Sequence, residues 1–345
     1  MKNIIKINSK TLLVISILMV LIFITFLLSL NMGSFSIEPM DVIKTFLGQG
    51  QRNHEIAIFK LRLPRIVIAL LVGSALSTAG VILQGVTKND LADSGILGIN
   101  SGAALFVVVY IYLMNGNVYE GMSNLTVFTM PIVALIGALF GAFLIYSLAW
   151  KGGINSSRLL LTRLLLIGIG VNIAFTSILT IFQLKFTTQE FNRVMAWTSG
   201  SIWGTSWKYV IAVLPFIVIF MGITIYKSKY IDVLNLGDEV SISLGVDVEK
   251  QRRRLIIYAV ILSGVSTAVA GSISFLGLIA PHIGRKIIGP KHKRLIPVSA
   301  LIGTLLLLIA DTISRNLLAP IEIPVGIVVS IIGVPYFIYL MLVND

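Results

Sequence analysis

Residues Leu255–Gly284 read LIIYAVILSGVSTAVAGSISFLGLIAPHIG, thirty positions without a single Asp, Glu, Lys or Arg. Five basic residues follow within the next ten positions: Arg285, Lys286, Lys291, Lys293 and Arg294. A long apolar run that ends in a basic cluster is typical of a transmembrane segment, because cytoplasmic loops collect Lys and Arg. The stretch therefore predicts that a lipid bilayer surrounds this part of the chain.

The same stretch is too long for one crossing. A helix rises about 1.5 Å per residue and the hydrocarbon core is about 30 Å thick, so thirty residues exceed one crossing by roughly half. Gly271-Ser272-Ile273-Ser274 offers a break, and Pro281 then falls within a short second helix. We therefore expect two helices here.

The rest of the chain follows the same pattern. Hydrophobic residues make up 56% and charged residues 12% of the sequence, too few polar side chains to cover a soluble globule. The charge-free stretches that could cross a bilayer are 11–37, 66–87, 94–119, 121–150, 164–184, 209–226, 255–284, 295–310 and 323–344. With 255–284 split, the sequence predicts an all-α polytopic membrane protein of about ten helices, in one transmembrane domain over residues 1–345.

The first stretch has two interpretations. Lys2, Lys6 and Lys10 precede the apolar run 11–37, as in a cleaved signal peptide. The run ends in Leu30-Asn31-Met32-Gly33 without a clear small-x-small cleavage site, which favours a retained first helix.

The basic residues indicate an orientation in the membrane. The net charge of +12 lies in short loops between apolar runs, unlike the basic face of a nucleic-acid-binding domain. With both termini in the cytoplasm, eighteen of the 27 basic residues lie inside, as expected from the positive-inside rule. Five of the other nine crowd into the first external loop and the start of the second span: Lys44, Arg52, Lys60, Arg62 and Arg65. Basic residues on that side suggest an acidic partner there.

Little in the chain suggests chemistry. There is no cysteine, and His54, His282 and His292 are too scattered to predict a metal site. We find no Walker A sequence, no dinucleotide fingerprint and no HExxH motif. Asp311 has Arg315 four residues later as an expected helical partner. We therefore expect no cofactor, no metal and no enzymatic activity.

Four ordered segments carry a family resemblance. They are Leu61–Arg65 with Ala69–Leu76 and Gly80–Gly85; Asn89–Gly98 with Ser101–Ala104; Phe275–Arg285; and Ala310–Arg315 with Glu322–Gly326 and Gly333–Pro335. In order and spacing they resemble the FecCD-type permeases of ABC importers for iron siderophores, haem and cobalamin. The resemblance runs from one end of the chain to the other.

The resemblance implies a fold and a set of partners. It implies a type II ABC importer permease of ten helices, in the cell membrane, beside a second permease subunit that is a copy or a related chain. Two cytoplasmic ATPases and an extracytoplasmic binding protein would complete the machine. A ferric siderophore is the expected cargo, and haem or cobalamin is the alternative.

The resemblance also implies site residues at three places. Arginines at 62, 65 and 315 would dock acidic residues of the binding protein, although they could instead snorkel or, for Arg315, pair with Asp311. The cytoplasmic segment of about 230–252 would form two short helices that couple to the ATPases, or rest on anionic lipid as a basic amphipathic loop. Its matching positions are Leu236, Gly237, Asp238, Glu239, Leu244 and Gly245.

The third place is a cytoplasmic gate. Asn89 and Leu91 match it. Its other half is ambiguous, because Ser157–Leu161 and Thr162–Leu166 are near copies, and Thr162 is favoured since Gly168 then falls where the family has glycine. Asp90 and Ser94 stand where the family commonly has proline, which predicts a less rigid gate segment.

A different class remains to be weighed, an ion-coupled secondary transporter. Such proteins normally place paired carboxylates or broken helices near the bilayer midplane. Here the charges lie at the ends of the predicted spans. This distribution favours a conduit that separate ATPases drive.

Overall fold

The structure is a computed structural model that describes residues 9–33, 37–114, 126–149, 157–202, 204–319 and 321–343. Within those ranges the chain is helical and contains no strand. The helices are α1 (Ser9–Asn31), α2 (Pro39–Phe46), α3 (Arg52–Glu55), α4 (Leu63–Thr87), α5 (Ile99–Leu113), α6 (Thr126–Ala149), α7 (Ser157–Gln183), α8 (Thr188–Thr198), α9 (Trp207–Asn235), α10 (Asp238–Ser243), α11 (Val248–Ala270), α12 (Leu276–Ile288), α13 (His292–Asn316) and α14 (Val325–Val343). A π-helical segment (Ile56–Arg62) joins α3 to α4, and a 3-10 turn (Ser94–Leu97) precedes α5.

Ten of these helices coincide with the ten predicted spans. In the described ranges, seven are long and apolar enough to cross a bilayer: α1, α4 with its N-terminal extension, α6, α7, α9, α11 and α13. Two shorter apolar helices lie over Ile99–Leu113 and Val325–Tyr339, and α12 has only 13 residues. The all-α membrane fold is therefore confirmed.

The long apolar stretch is broken where the sequence predicts. α11 ends at Gly271, whose φ is +68°, and a Cβ at that position would collide with the carbonyl oxygen of Trp197. The chain then runs unwound to Phe275, where φ is +67°, before α12 begins. A left-handed aromatic residue is a true outlier, and such conformations persist only where the surrounding packing imposes them.

The second span is longer than predicted, because helix continues from Arg52 to Thr87. Ile56–Arg62 within it is a π-helix, which is rare and concentrated at functional sites. The indole N–H of Trp207, at the start of α9, donates a hydrogen bond of 2.8 Å to the carbonyl of Phe59 in this segment. The π segment therefore binds α9 as well as extending α4.

α4 is the buried centre of the molecule and packs along α13, α11, α9 and α12. Small residues allow these helices to approach closely in lipid, where there is no hydrophobic drive between them. A Cβ on Gly80 would overlap the backbone of Gly277 in α12, and one on Gly73 would lie 2.6 Å from the carbonyl oxygen of Gly303 in α13. The glycine spacing in the sequence predicts close helix packing at Gly73 and Gly80, but it does not predict that α12 is the partner at Gly80.

Some surface elements differ from the prediction. α2, α3 and α8 are helices that the sequence analysis does not anticipate. Between α9 and α11 there is one short helix, α10, where two are predicted, because Lys227–Asn235 continues α9 and Val248 already begins α11. Asp247 accepts a hydrogen bond of 3.0 Å from the Lys250 N–H and so caps α11 early.

Candidate functional site

The three arginines predicted to dock a partner come together at one end of the bundle. Arg65 donates to the Asp311 carboxylate through Nε at 2.7 Å and to the Glu322 carboxylate through Nη1, also at 2.7 Å. Arg315 lies 3.2 Å from the other oxygen of Asp311, one helical turn earlier, and this is the i,i+4 pair that the sequence suggests. Asp311 is fully buried and so serves two cations.

The remaining contacts of the cluster join it to the end of α1. Arg62 donates to the carbonyl oxygens of Leu30 and Asn31, the second at 3.3 Å. Arg315 donates to the hydroxyl and, at 3.3 Å, to the carbonyl oxygen of Ser29. These carbonyls belong to the last turn of α1, where a helix leaves its acceptors unpaired and carries partial negative charge. The arginines therefore fasten α1 to α4 and α13.

The cluster is buried, which the sequence does not predict. Only 7% of Arg62, 7% of Arg65 and 5% of Arg315 is exposed. Among the described residues, the carboxylates that pair with this group of three arginines are Asp311 and Glu322, so its formal charge there is +1. Docking by these arginines remains a prediction.

α10 lies at the opposite end of the molecule. Ser241 is buried and donates to the Val233 carbonyl of α9 at 2.9 Å, and Asp238 accepts from buried Arg252 of α11 at 3.1 Å. Apolar side chains on the helix and its flanks are exposed: Leu236 62%, Val240 46%, Ile242 64% and Leu244 59%. The flanking residues Gly237 and Gly245 have φ of +113° and +77°. The other predicted coupling residue, Glu239, is also exposed.

The predicted gate residues Asn89 and Leu91 lie in the connection after α4. The Asn89 side chain accepts a hydrogen bond of 2.9 Å from the Leu91 N–H, an Asx turn that fixes the bend. Leu91 is partly buried and packs against the buried pair Leu278 and Ile279 of α12. Thr162 lies in α7, which begins at Ser157, and its side chain falls outside the described residues.

Charged residues that the sequence analysis does not assign hold the same connection. The ammonium of Lys88 lies 3.8 Å from the Asp238 carboxylate of α10, and Asp90 forms an ion pair with Arg285 of α12. Burial raises the pKa of the Asp93 carboxyl above its ordinary value, and the N–H groups of Ser94 and Phe275 oppose this rise by donating to it. No motif could have signalled these contacts, because their partners lie far away in sequence.

Asn172 of α7 secures the other end of this connection. Its amide donates to the carbonyl of Gly95 at 2.9 Å, and its oxygen accepts from the Ser101 hydroxyl at the start of α5. The 3-10 turn is therefore tied to α7, ten residues beyond Thr162.

A cavity of about 560 Å³ lies beside the unwound segment between α11 and α12. It is bounded by the end of α8, the unwound segment and the first half of α14, and Gly326 donates from its N–H to the Gly200 carbonyl at 3.0 Å. None of the described residues that line it is charged. Five of them carry hydroxyl groups: Thr198, Ser199, Ser272, Ser274 and Ser330.

The two groups that a catalytic hypothesis would use are far from forming a site. Asp311 is held by Arg65 and Arg315, while the ring of His282 in α12 lies 5.9 Å from the ring of Tyr336. Among the described residues, no three His, Cys, Asp or Glu side chains are grouped so as to hold a metal ion.

Comparisons with known proteins identify the class. The sequence model of the FecCD transport family matches residues 20–343. The iron(3+)-hydroxamate import system permease protein FhuG of Bacillus subtilis (strain 168) is 49% identical over 97% of this chain and 98% of its own length. The iron-uptake system permease protein FeuC of the same organism is 40% identical over 93% of this chain and 94% of its own length.

A comparison with solved structures agrees with the family match. A metal-chelate type ABC transporter solved in an inward-facing conformation superimposes with a TM-score of 0.79 and 27% identity, covering 96% of this chain and 99% of its own. Permeases for ferric dicitrate and for haemin are also among the relatives. Proteins of this class are transport subunits and not enzymes. The chain is a multi-pass membrane permease of the ABC importer class, and it belongs to the FecCD transport family.

Proposed function

We propose that the chain is the permease through which an ATP-driven importer moves a ferric hydroxamate siderophore into the cell. The observation that carries the choice of cargo is the 49% identity, over 97% of the chain, to an iron(3+)-hydroxamate permease. Haem is the second candidate, favoured by a haemin permease at 35% identity over 96% of the chain.

The hydroxyl-lined cavity suits transient contact with such a cargo. Its volume of about 560 Å³ falls within the usual range for ligand pockets, roughly 300–1,000 Å³. A pathway must attract its cargo enough to admit it and hold it weakly enough to release it. Neutral hydroxyls can donate to or accept from a metal chelate without the strong attraction of a charged group. This combination supports passage of a polar chelate.

At the outer end, we propose that an extracytoplasmic binding protein docks over Arg62, Arg65 and Arg315. The surplus positive charge of the cluster supports an acidic partner, and exposed Arg52 and Lys60 on the adjoining helix extend the basic field. Complementary charge mainly speeds and orients association, as a partner that must leave requires. Because the three arginines are nearly buried, carboxylates of the partner would contact only the small exposed part of each side chain.

At the inner end, we propose that α10 and its flanks insert into a cytoplasmic ATPase. The exposed Leu236, Ile242 and Leu244 form an apolar patch of the kind that marks a protein interface. The basic amphipathic alternative would require cations on the helix, but α10 itself carries Asp238 and Glu239. This arrangement supports a protein partner over anionic lipid.

The complete importer is proposed to hold two permease subunits, this chain with a copy or a related chain, and two ATPases. The whole chain would act as one permease domain with both termini in the cytoplasm. The positive-inside pattern supports this orientation. The ends of the chain, residues 1–8 and 344–345, lie outside the described residues.

The experiment is uptake into vesicles. The chain is reconstituted with candidate permease, ATPase and binding-protein partners, and radio-iron entry is followed for hydroxamate, citrate and haem cargoes. We expect ATP-dependent uptake that is fastest for a ferric hydroxamate. Uptake that persists without ATP would refute the proposal, and uptake of haem alone would assign the second candidate.

A further inference from the structure

The connection from Lys88 to Asp93 links three elements through charged side chains. Lys88 closes α4 in a left-handed conformation, with φ of +52°, and its ammonium lies 3.8 Å from Asp238 of α10. Two residues on, Asp90 forms an ion pair with Arg285 of α12. Arg285 also donates to the Gln84 side chain in the last turns of α4.

Asp238 is the shared point of contact at the base of α10. It accepts hydrogen bonds of 3.1 and 3.3 Å from Arg252, a buried residue of α11, in addition to pairing with Lys88. The apolar side chains of α10 project elsewhere and are exposed. One side of the helix is thus open to a partner, and its first residue is tied to the gate connection.

The short helix is well suited to move as a unit. α10 has six residues and is flanked by Gly237 and Gly245, whose positive φ angles make hinge conformations available. A rigid-body displacement of such an element passes to other parts of the molecule wherever side chains bind it. Lys88 is the contact by which displacement of Asp238 reaches the gate connection directly.

We propose that Lys88 and Asp90 form an ion-pair relay that transmits movement of α10, through the gate connection, to Arg285 and the short helix α12. They are positioning residues that do not touch the cargo. The inference rests on the proposed function, since it takes α10 as the site where an ATPase pushes. It adds the two residues, neither of them assigned by the sequence analysis, through which the push would reach the gate.

The first test removes one charge. Lys88→Gln, Lys88→Arg and the control Lys293→Gln, an exposed lysine at the start of α13, are each reconstituted with the partner subunits. For Lys88→Gln we expect normal ATPase co-purification and stimulated hydrolysis, with about a tenfold loss of cargo moved per ATP hydrolysed. Lys88→Arg and Lys293→Gln should stay within twofold of the native ratio. An unchanged ratio in Lys88→Gln would overturn the relay.

The second test asks whether the two pairs act in series. Asp90→Asn should lower the transport-to-hydrolysis ratio and Asp90→Glu, which keeps the charge, should restore it. If both pairs belong to one relay, the double variant Lys88→Gln/Asp90→Asn should be no worse than the poorer single variant, because coupled sites are not additive. Losses that multiply would show two independent effects and overturn the proposal.

A third readout follows the gate itself. The chain has no native cysteine, and a Cβ at Gly95 meets no atom within 4 Å, so Gly95→Cys can report on the connection. Its maleimide labelling rate should change several-fold between nucleotide-free and ATP-trapped complexes, and Lys88→Gln should abolish that change. A change that survives Lys88→Gln contradicts the relay. If the native complex moves no iron chelate at all, the proposed function itself has failed.

Discussion

The outer arginine cluster and the surface of α10 meet the surroundings in opposite ways. In the arginine cluster, the charged side chains are mostly buried and pair with one another and with the end of α1, with one positive charge in excess among the described residues. On α10 and its flanks, the apolar side chains of Leu236, Val240, Ile242 and Leu244 are 46–64% exposed, while Asp238 pairs with buried Arg252. The outer end resembles the interior of a protein, and the inner end resembles an interface without its partner.

The difference fits two kinds of association. Burial of apolar area stabilises a lasting contact, and a patch such as α10 would be costly to leave in water. In a buried charge network most ion pairs form within the protein, so a partner meets only a modest net charge. The surface of α10 is thus suited to a subunit that stays bound, and the arginine cluster to a partner that binds transiently.

The largest effect is expected at Asp311. Asp311→Asn removes the buried charge that two arginines share, and breaking a buried pair in this way typically costs about 3–5 kcal/mol. We expect loss of most folded protein, measured by thermal unfolding in detergent. The matched control is Asp41→Asn. The Asp41 carboxylate pairs with Lys44 at 3.6 Å on the exposed helix α2, so its loss should lower the free energy of unfolding by less than about 1 kcal/mol. Equal stability of the two variants would remove the structural role of the cluster.

The next prediction concerns α4, which connects the two regions: Arg65 lies near its start and Lys88 directly follows its end. Gly80→Ala places a methyl group against the backbone of Gly277, and such overpacking costs about 1–3 kcal/mol. Gly222→Ala is the control, since a Cβ there meets no atom within 4 Å. Thermal unfolding should separate the two, and similar melting temperatures would mean that α4 and α12 are not tightly packed.

A smaller effect is expected at α10. Ile242→Asp should lower ATPase affinity at least tenfold, about 1.4 kcal/mol, because a charge would enter an apolar interface. Ile321→Asp introduces the same change at the outer end, where Ile321 is 70% exposed. Co-purification of the ATPase measures both. If Ile321→Asp weakens the complex as much as Ile242→Asp does, α10 is not the contact.

The smallest effect concerns Glu322, whose carboxylate holds Arg65 at 2.7 Å with 28% of its side chain exposed. Glu322→Gln frees part of Arg65 for a carboxylate of the binding protein. Because only the Glu322 side of this pair is partly exposed, we take about 1 kcal/mol, the upper end for exposed pairs, and the affinity should rise about fivefold. Glu55→Gln, an exposed acid on α3, controls for the change in net charge. An equal response of both variants would argue against docking at Arg65.

Some features could be predicted from the sequence because they depend on local pattern and length. The break after Gly271 follows from a charge-free run that is too long for one crossing and contains Gly and Ser. The pair of Asp311 with Arg315 follows from i,i+4 spacing. The ordered motifs were enough to indicate the family.

Other features depend on contacts that no local pattern encodes. Arg65 lies 246 positions before its partner Asp311, so neither the pair nor its burial could be read from spacing. The same holds for Lys88 with Asp238, and for Asp90 with Arg285, which restrains a connection where proline is missing. The sequence analysis groups Arg62, Arg65 and Arg315 as a docking site, which stays a prediction, and it does not predict that their side chains are buried.

The π-helical segment has a consequence for insertions and deletions. A π-helix holds an extra residue in a wide turn, so removing one residue from Ile56–Arg62 would let ordinary α-helical bonding continue with little rotation of the helix on either side. The Phe59 carbonyl, which now accepts from the indole N–H of Trp207, would then bond to an N–H of its own helix. A single-residue deletion in this segment would therefore weaken the contact with α9 while leaving Arg52 and Arg65, on either side, in nearly their present directions.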